Sequence, residues 1–365
     1  MKQSLKAGRI SFALAAAIAA FPLAADSVNT TVRTVTELGK GIYAIRHPDA
    51  PDGFPQSNTT VIIGDREVLV VDSCYLPSSA REDIAQIRTW TDKPVRYLVN
   101  THWHYDHTMG NGVYAAEFPA LGIIAHRETR KHVRGYNPGW FERFPQRAET
   151  FAKRVREGTD IDGKPLSAED IEVYRNASAG VASVHAEYRA LTDRPPDIGF
   201  DDRLEINLGN REVHVLFLGR GNTSGDAVVF LPQEKILVAG DLLDHPVPYL
   251  GGGYPVDLID TLRAMDRLDF ETIVPGHGDV LRGRAHLHEV LNLLTTVVAE
   301  VEKAIYRIGN GSRNLDEVRT SVMAALDVDA LAKPFGGDDK DNRAFFESFS
   351  LSGLITAAYA QLWGK

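Results

Sequence analysis

Residues 102–107 read HWHYDH and follow directly on a strand-like apolar run, VRYLVN. This hexapeptide constrains the fold more than any other stretch. Three imidazoles and a carboxylate stand within six residues, and burying such groups is costly unless they meet partners or a cation. Zinc takes His nitrogen and Asp oxygen as ligands, and its catalytic sites keep one position open for water. In an extended turn His102 and His104 project the same way and can pinch one ion. Asp106 and His107 turn off to a different side and can serve a second. Core histidines rarely come at this density, so the motif reads as a metal site at a strand end.

The surrounding sequence alternates strands and helices. GIYAIR, TTVIIG and EVLVVDS are β-branched runs, the last two separated by an Asp-centred turn. Residues 79–90 have helical spacing, with Ile84, Ile87 and Trp90 on one face and Ser79 as the expected N-cap. GIIAH closes the first half as a strand. From about 127 to 198 the chain is polar, charged and helical in spacing, which predicts a helical insertion. Strands resume at RLEINL, EVHVLFL, DAVVFLP and KILVAGD. A helix over about 257–268 and the strand TIVPGHGD follow, and from 286 to 365 the pattern is helical. The expected organisation is one α/β layered domain over 31–285 with a helical C-terminal extension packed on it.

The chain has 365 residues, 44% hydrophobic and 24% charged, an ordinary globular balance with room for a large core. Its formal charge is -9 and it carries no long basic tract, so no nucleic-acid partner is expected. Lys2, Lys6 and Arg9 precede an apolar run from Ile10 to Phe21, and Ala24 and Ala25 follow. That pattern predicts a signal peptide over 1–25 and a periplasmic or secreted mature protein without a stable membrane span. Leu23 fits the cleavage pattern imperfectly, so an uncleaved anchor stays open. The single cysteine, Cys74, excludes an intrachain disulfide and reads as a buried small thiol.

Several motifs in order now point to one family. HxHxDH after a strand resembles the first motif of the metallo-β-lactamase-fold hydrolases. DSCY near 72 resembles the acidic turn before their first long helix, GNTSGD at 221–226 their GHTxGD, AGDLL the strand end with a metal-bridging Asp, and VPGHGD their last metal motif. The resemblance covers about 35–125 and 200–285. It implies a four-layer αββα sandwich carrying the helical insertion and tail. It also implies that His102 and His104 ligate a first metal, that Asp106, His107 and His277 ligate a second, and that Asp241 bridges both. Asp72 would orient the histidine motif from behind. An aspartate at 241 resembles the broader hydrolases of thioesters, lactones and phosphoesters more than the lactamases with Cys or Ser there.

One position departs. Aligned without a gap, the third motif's histidine is replaced by Asn222, and the neighbouring Arg220 donates only and cannot ligate. An amide oxygen is a weaker, neutral donor that suits harder cations. Three readings stand: one zinc in the second site alone; two ions with Asn222 and water completing the first, manganese or iron being suited there; or another side chain filling in, with His245, His126 and His214 as candidates. His126 otherwise reads as site lining or as structural. His245 and Tyr249, on the Pro-rich loop after Asp241, could steady a developing oxyanion. LGGGYP lacks the lysine of a phosphate loop and reads as a flexible loop near the site. Tyr136, Trp140, Phe141 and Phe144, and Phe54 in DAPDGFPQSN, are candidate lid and flap residues.

A bound divalent metal lowers the pKa of its water to about 7, giving hydroxide at neutral pH without a serine or cysteine nucleophile. Asp106 or Asp241 can orient that hydroxide or accept its proton. The expected function is an exported metal-dependent hydrolase of a small-molecule amide, lactam, lactone or thioester. A β-lactamase proper is one alternative. A non-catalytic metal- or ligand-binding relative, with its first site degraded by Asn222, is another. The sequence leaves the oligomeric state open.

Overall fold

Strands of two to six residues line up in two sheets that face each other. The computed structural model describes residues 32–363 apart from 142–143, 160–162, 164, 190 and 309–313, and only the backbone of 135–144. The expected signal peptide and the side chains of Tyr136, Trp140, Phe141 and Phe144 lie outside the described residues.

The first half runs β1 (Thr34–Gly39), β2 (Ile42–Arg46), β3 (Thr59–Ile63), β4 (Val68–Val71), α1 (Pro77–Trp90), β5 (Val95–Val99), α2 (Tyr105–Thr108), α3 (Asn111–Glu117) and β6 (Gly122–His126). Helices α4 (Arg127–Phe141), α5 (Phe144–Glu157) and α6 (Ala168–Arg189) then intervene before β7 (Ile198–Phe200). The seven strands lie in sequence order, antiparallel from β1 to β4 and parallel from β4 to β7.

The second half runs β8 (Arg203–Asn207), β9 (Glu212–Phe217), β10 (Ala227–Leu231), β11 (Ile236–Gly240), α7 (Pro255–Asp266), β12 (Thr272–Pro275), β13 (Leu281–Arg282), α8 (Ala285–Ile308), α9 (Leu315–Ala325), α10 (Val328–Ala332), α11 (Lys340–Phe345) and α12 (Ser352–Trp363). Its sheet has the order β13-β12-β11-β10-β9-β8, with β11 and β12 parallel.

The period of two along each strand sorts side chains between layers. In β4, Leu69 and Val71 enter the core between the sheets, where Val213, Val215, Val229 and Val238 meet them. Val68 and Val70 point the other way, onto Ala80, Ile84 and Ile87 of α1 and Tyr114 of α3. Both faces of β4 are therefore buried, which is why it reads as an unbroken apolar run. On the far side Leu237, Ala239 and Ile273 pack under α7 and α8, joined by Leu354, Ile355 and Ala358 of α12. The result is the αββα sandwich, each fully buried Val or Leu contributing roughly 1.5–3 kcal/mol.

Helix α1 begins three residues earlier than an N-cap at Ser79 would have it, with Leu76 as the N-cap residue. Pro77 takes the first helical position, which needs no N–H. Glu187 of α6 caps the first turn from outside, its Oε2 accepting from Ser78 N at 2.8 Å. A third core joins this insertion to the chain before β3. Phe54 is buried in it against Tyr75, ring centroids 4.7 Å apart, with Phe151, Tyr174, Val181 and Tyr188 around them. Phe54 is thus an anchor of the 48–58 segment and not the tip of a flap. A buried pair, Arg147 Nη1 to Asp52 Oδ2, ties α5 to the same segment. Gly180 lets α6 rest on it, since a Cβ there would overlap the Pro51 carbonyl.

Candidate metal centre

The site grows from the end of β4. There Asp72 and Cys74 adopt left-handed backbone, φ 60 and 65, a conformation held only where neighbours over-determine it. The neighbours are visible. Asp72 Oδ1 accepts from Thr101 N at 2.8 Å, and Oδ2 accepts from Thr101 Oγ1 and faces His107 Nδ1, each also at 2.8 Å. Nδ1 of His107 therefore carries the proton, and Nε2 presents its lone pair away from Asp72.

After β5 the HWHYDH segment bends, and α2 begins with His104 as its N-cap residue. The helical turn swings Asp106 and His107 off the direction of His102 and His104. Asp241 follows β11, and His277 follows β12, so parallel neighbours deliver both to the same sheet end. Donor atoms of Asp106, His107, Asp241 and His277 lie within 4.8 Å of one another, as do those of His102, His104 and Asp241. The two groups share one carboxylate. Asp241 Oδ1 is 3.0 Å from His107 Nε2 and 3.7 Å from His277 Nε2. Asp241 Oδ2 is 3.2 Å from His102 Nε2 and 3.9 Å from His104 Nδ1.

The donor chemistry fits a cation. His107 Nε2 and Asp241 Oδ1 are both buried without a hydrogen-bond partner. A lone pair facing a carboxylate oxygen at 3.0 Å calls for a positive charge between them. The field has the same sign. Burial alone would lower the pKa of His277, but Asp241 and Asp106 raise it to about 9. Burial would raise Asp106, but His107 and His277 hold its carboxyl far below the usual range.

Asn222 reaches the first group. Its Nδ2 lies 3.2 Å from His102 Nε2, 3.3 Å from His104 Nδ1 and 3.3 Å from Asp241 Oδ2. The carboxamide thus occupies the corner a third ligand would take, with its NH2 group as the inward atom; that group donates to the imidazoles and the carboxylate and does not ligate, and a half-turn of the amide would bring Oδ1 to the same corner. The turn that presents it is built by Asp226, whose carboxylate accepts from Gly221 N, Thr223 N and Thr223 Oγ1 at 2.7–3.0 Å.

The candidate substitutes for that third ligand lie elsewhere. His126 stacks on Phe217, centroids 4.1 Å apart, and its Nδ1 accepts from Glu128 N. His214 sits on β9 beside Glu205 and Glu212. His245 packs edge-on to His286, its Nδ1 4.0 Å from Asp279 Oδ2. Tyr249 donates its N–H to Asp244 Oδ2 and lies near Phe349. Among the described residues none of these joins the His102, His104 and Asp241 donors.

A further group, His47, Cys74 and Asp83, also brings potential ligands together. Its geometry is that of an ion pair. His47 Nε2 is 3.0 Å from both Asp83 oxygens, and Arg33 adds its guanidinium at 2.8 Å. Cys74 Sγ lies 3.6 and 3.3 Å from the two ring nitrogens, over the imidazole face and off its lone-pair axis. Burial pushes the thiol's pKa up, as befits a structural cysteine.

Sequence reasoning overlooked the groups that hold the site together. Ser57 Oγ donates to Asp106 O at 2.6 Å, and Asn58 Nδ2 donates to Pro275 O and Gly278 O at 3.0 and 2.9 Å. Their only local signal is a pair of polar residues at the start of a buried strand. The loop LGGGYP is not free either, because Tyr254 N donates to Gly221 O at 2.7 Å.

Comparison with known proteins agrees with this architecture. The sequence profile of the metallo-beta-lactamase superfamily matches residues 52–277, and the chain belongs to that superfamily. It is 25% identical over 264 residues to a linear primary-alkylsulfatase from Pseudomonas sp. (strain ATCC 19151), covering 69% of this chain and 47% of the relative. It is 31% identical over 90 residues to a metallo-beta-lactamase type 2 from Bacteroides fragilis, covering 23% of this chain and 36% of that one. The chain thus spans about half or less of the length of these relatives. Among solved structures, a metallo-beta-lactamase from Pontibacter korlensis superposes with a TM-score of 0.52 at 18% identity, covering 72% of this chain and 99% of the other.

Proposed function

We propose that this chain is a metal-dependent hydrolase of a small-molecule amide, lactam, lactone or thioester. The observation that supports it is the shared carboxylate, with Asp241 turning one oxygen to each donor group. In this reading His102, His104, Asn222 and Asp241 would hold one ion, and Asp106, His107, His277 and Asp241 a second. Zinc suits the second set. The neutral amide of Asn222 makes the first set weaker for zinc and better suited to manganese or iron. When bound, a divalent ion polarises the scissile bond and makes water nucleophilic near neutral pH. The chain does the rest. Asp106 and Asp241, both buried at the site, would orient that water or accept its proton. Asp72 keeps His107 in the tautomer that ligates.

Sulfate-ester cleavage is a second reading, favoured because the alkylsulfatase match extends over far more of this chain than the lactamase match. Export to the periplasm or beyond is supported by the signal-like residues 1–25. No helix among the described residues is long and apolar enough to cross a membrane.

Elemental analysis, together with assays on nitrocefin, lactones, thioesters and sulfate esters with zinc, manganese and iron, tests the reading. Two bound ions are expected, the first weaker, with Asn222→His tightening it. Turnover that survives Asp106→Ala overturns the assigned site. Ion binding without turnover of any class makes the chain a binding protein.

A further inference from the structure

The C-terminal helix α12 lies outside the residues that match the superfamily profile, yet it reaches the first donor group by two separate routes. One route is backbone on backbone. A Cβ at Gly353 would overlap Gly251 Cα, so α12 rests directly on the glycine loop before α7. Two residues on, Gly253 has φ 69, and a Cβ there would overlap the carbonyls of Gly221 and Asn222. The glycine loop is thus pressed between α12 and the turn that carries Asn222. These close approaches demand glycine, in contrast to a loop that is merely flexible.

The other route is polar. Near the far end of α12, Gln361 Oε1 accepts from Val256 N at 2.8 Å, and its Nε2 donates to Asp257 Oδ1 at 2.7 Å. Asp257 Oδ2 accepts from Arg220 Nε at 2.8 Å and pairs with Nη2 at 2.5 Å. Arg220 also lies over the Tyr254 ring, 4.1 Å from its centroid, and its carbonyl accepts from Thr261 Oγ1 at 2.8 Å. Asn222 is two residues further. The other members of that donor group are placed differently, through Thr101, whose Oγ1 lies 3.0 Å from His102 Nδ1, and through the end of β11.

We propose that α12 is a positioning element for Asn222, and that Gly353, through the glycine loop, and Gln361, through the first turn of α7, hold the carboxamide at the first metal position. This rests on the two-ion reading given above. The consequence is selectivity between sites. Loosening α12 should weaken the first site and leave the second, which is held by Asp72 and Asn58, unchanged.

The experiment uses the full chain and two variants, Gln361→Met, which keeps the volume and loses both hydrogen bonds, and Gly353→Ala. Amide hydrogen exchange over 219–226 is read without added metal, and cobalt(II) affinity is read at each site. Exchange in 219–226 should rise about three- to tenfold in Gln361→Met, the range for loss of a hydrogen bond. First-site affinity should fall by a similar factor, with second-site affinity unchanged. Unchanged exchange in 219–226 in both variants overturns the proposal, as does equal weakening of both sites in step with a lower melting temperature. If the wild type binds one cobalt while exchange still rises in the variants, the two-ion reading fails and the positioning role stands.

Discussion

Asp72→Asn is the sharpest single test of how the second donor group is assembled. Asparagine tolerates the left-handed backbone at this position at least as well as aspartate, so the turn itself should survive. Its side chain has the same shape but one acceptor oxygen. If that oxygen keeps the 2.8 Å bond from Thr101 N, an NH2 group replaces Oδ2 opposite Thr101 Oγ1 and His107 Nδ1. The threonine hydroxyl can rotate to accept. The imidazole must instead move its proton from Nδ1 to Nε2, which removes the lone pair that faces Asp241. Loss of such a ligand-orienting partner costs about 10- to 100-fold in metal affinity, or roughly 1.4–2.7 kcal/mol. Fold stability should change by only about 1 kcal/mol for one hydrogen bond. Chelator competition measures the affinity, NMR of the ring nitrogens reports the tautomer, and thermal melting reports the fold. Wild-type affinity with the proton still on Nδ1 would refute the argument. A loss of affinity explained by unfolding would refute it too, since Asp72 would then hold the turn and not the ligand.

Three further outcomes follow from the packing. Arg147→Ala leaves the Asp52 carboxylate buried and unpaired, and urea unfolding should show a loss of about 3–5 kcal/mol. Gly180→Ala forces α6 away from Pro51, so overpacking should cost about 1–3 kcal/mol by the same assay. Asp83 is driven upward by burial but held below its ordinary 3.8 by His47 and Arg33. A depressed folded pKa contributes stability above the unfolded value that is lost as pH falls through the folded one. The advantage of wild type over Asp83→Asn should therefore be full above pH 3.8 and shrink below it, and a pH-independent gap would contradict the assignment.

What the sequence disclosed is what local spacing can encode. HWHYDH carries its chemistry within one turn, and the unbroken apolar run VLVV marks a strand buried on both faces. The N-cap of α1 falls at Leu76 and not at Ser79, so two local signals compete and proline at the first helical position prevails. Strands β7 and β13, three and two residues long, are too short to show any period and exist only by pairing with a neighbour. The placing of Asn222 beside His102 was suggested by motif order, but its distances depend on Asp226 and on glycine contacts with a distant loop. Arg147 to Asp52 and Asn58 to Gly278 join residues 95 and 220 apart in the chain. A pair of that separation leaves no mark on the residues around either member, so no window of sequence reveals it.

The segment from 48 to 58 has one end in each of two worlds. At Asp52 and Phe54 it is fastened to the insertion by Arg147 and the aromatic cluster. At Ser57 and Asn58 it fastens the short helix bearing Asp106 and the loop bearing His277. The insertion is accordingly not a detachable module. Trimming α5 and α6 to a short connection between β6 and β7 would strip the segment of its anchor and leave a charged carboxylate and several aromatic faces uncovered. A minimal version of this chain, or a graft of its His- and Asp-bearing segments onto a smaller scaffold, would have to carry that remote helical pair along or supply another fastening for residues 50–54.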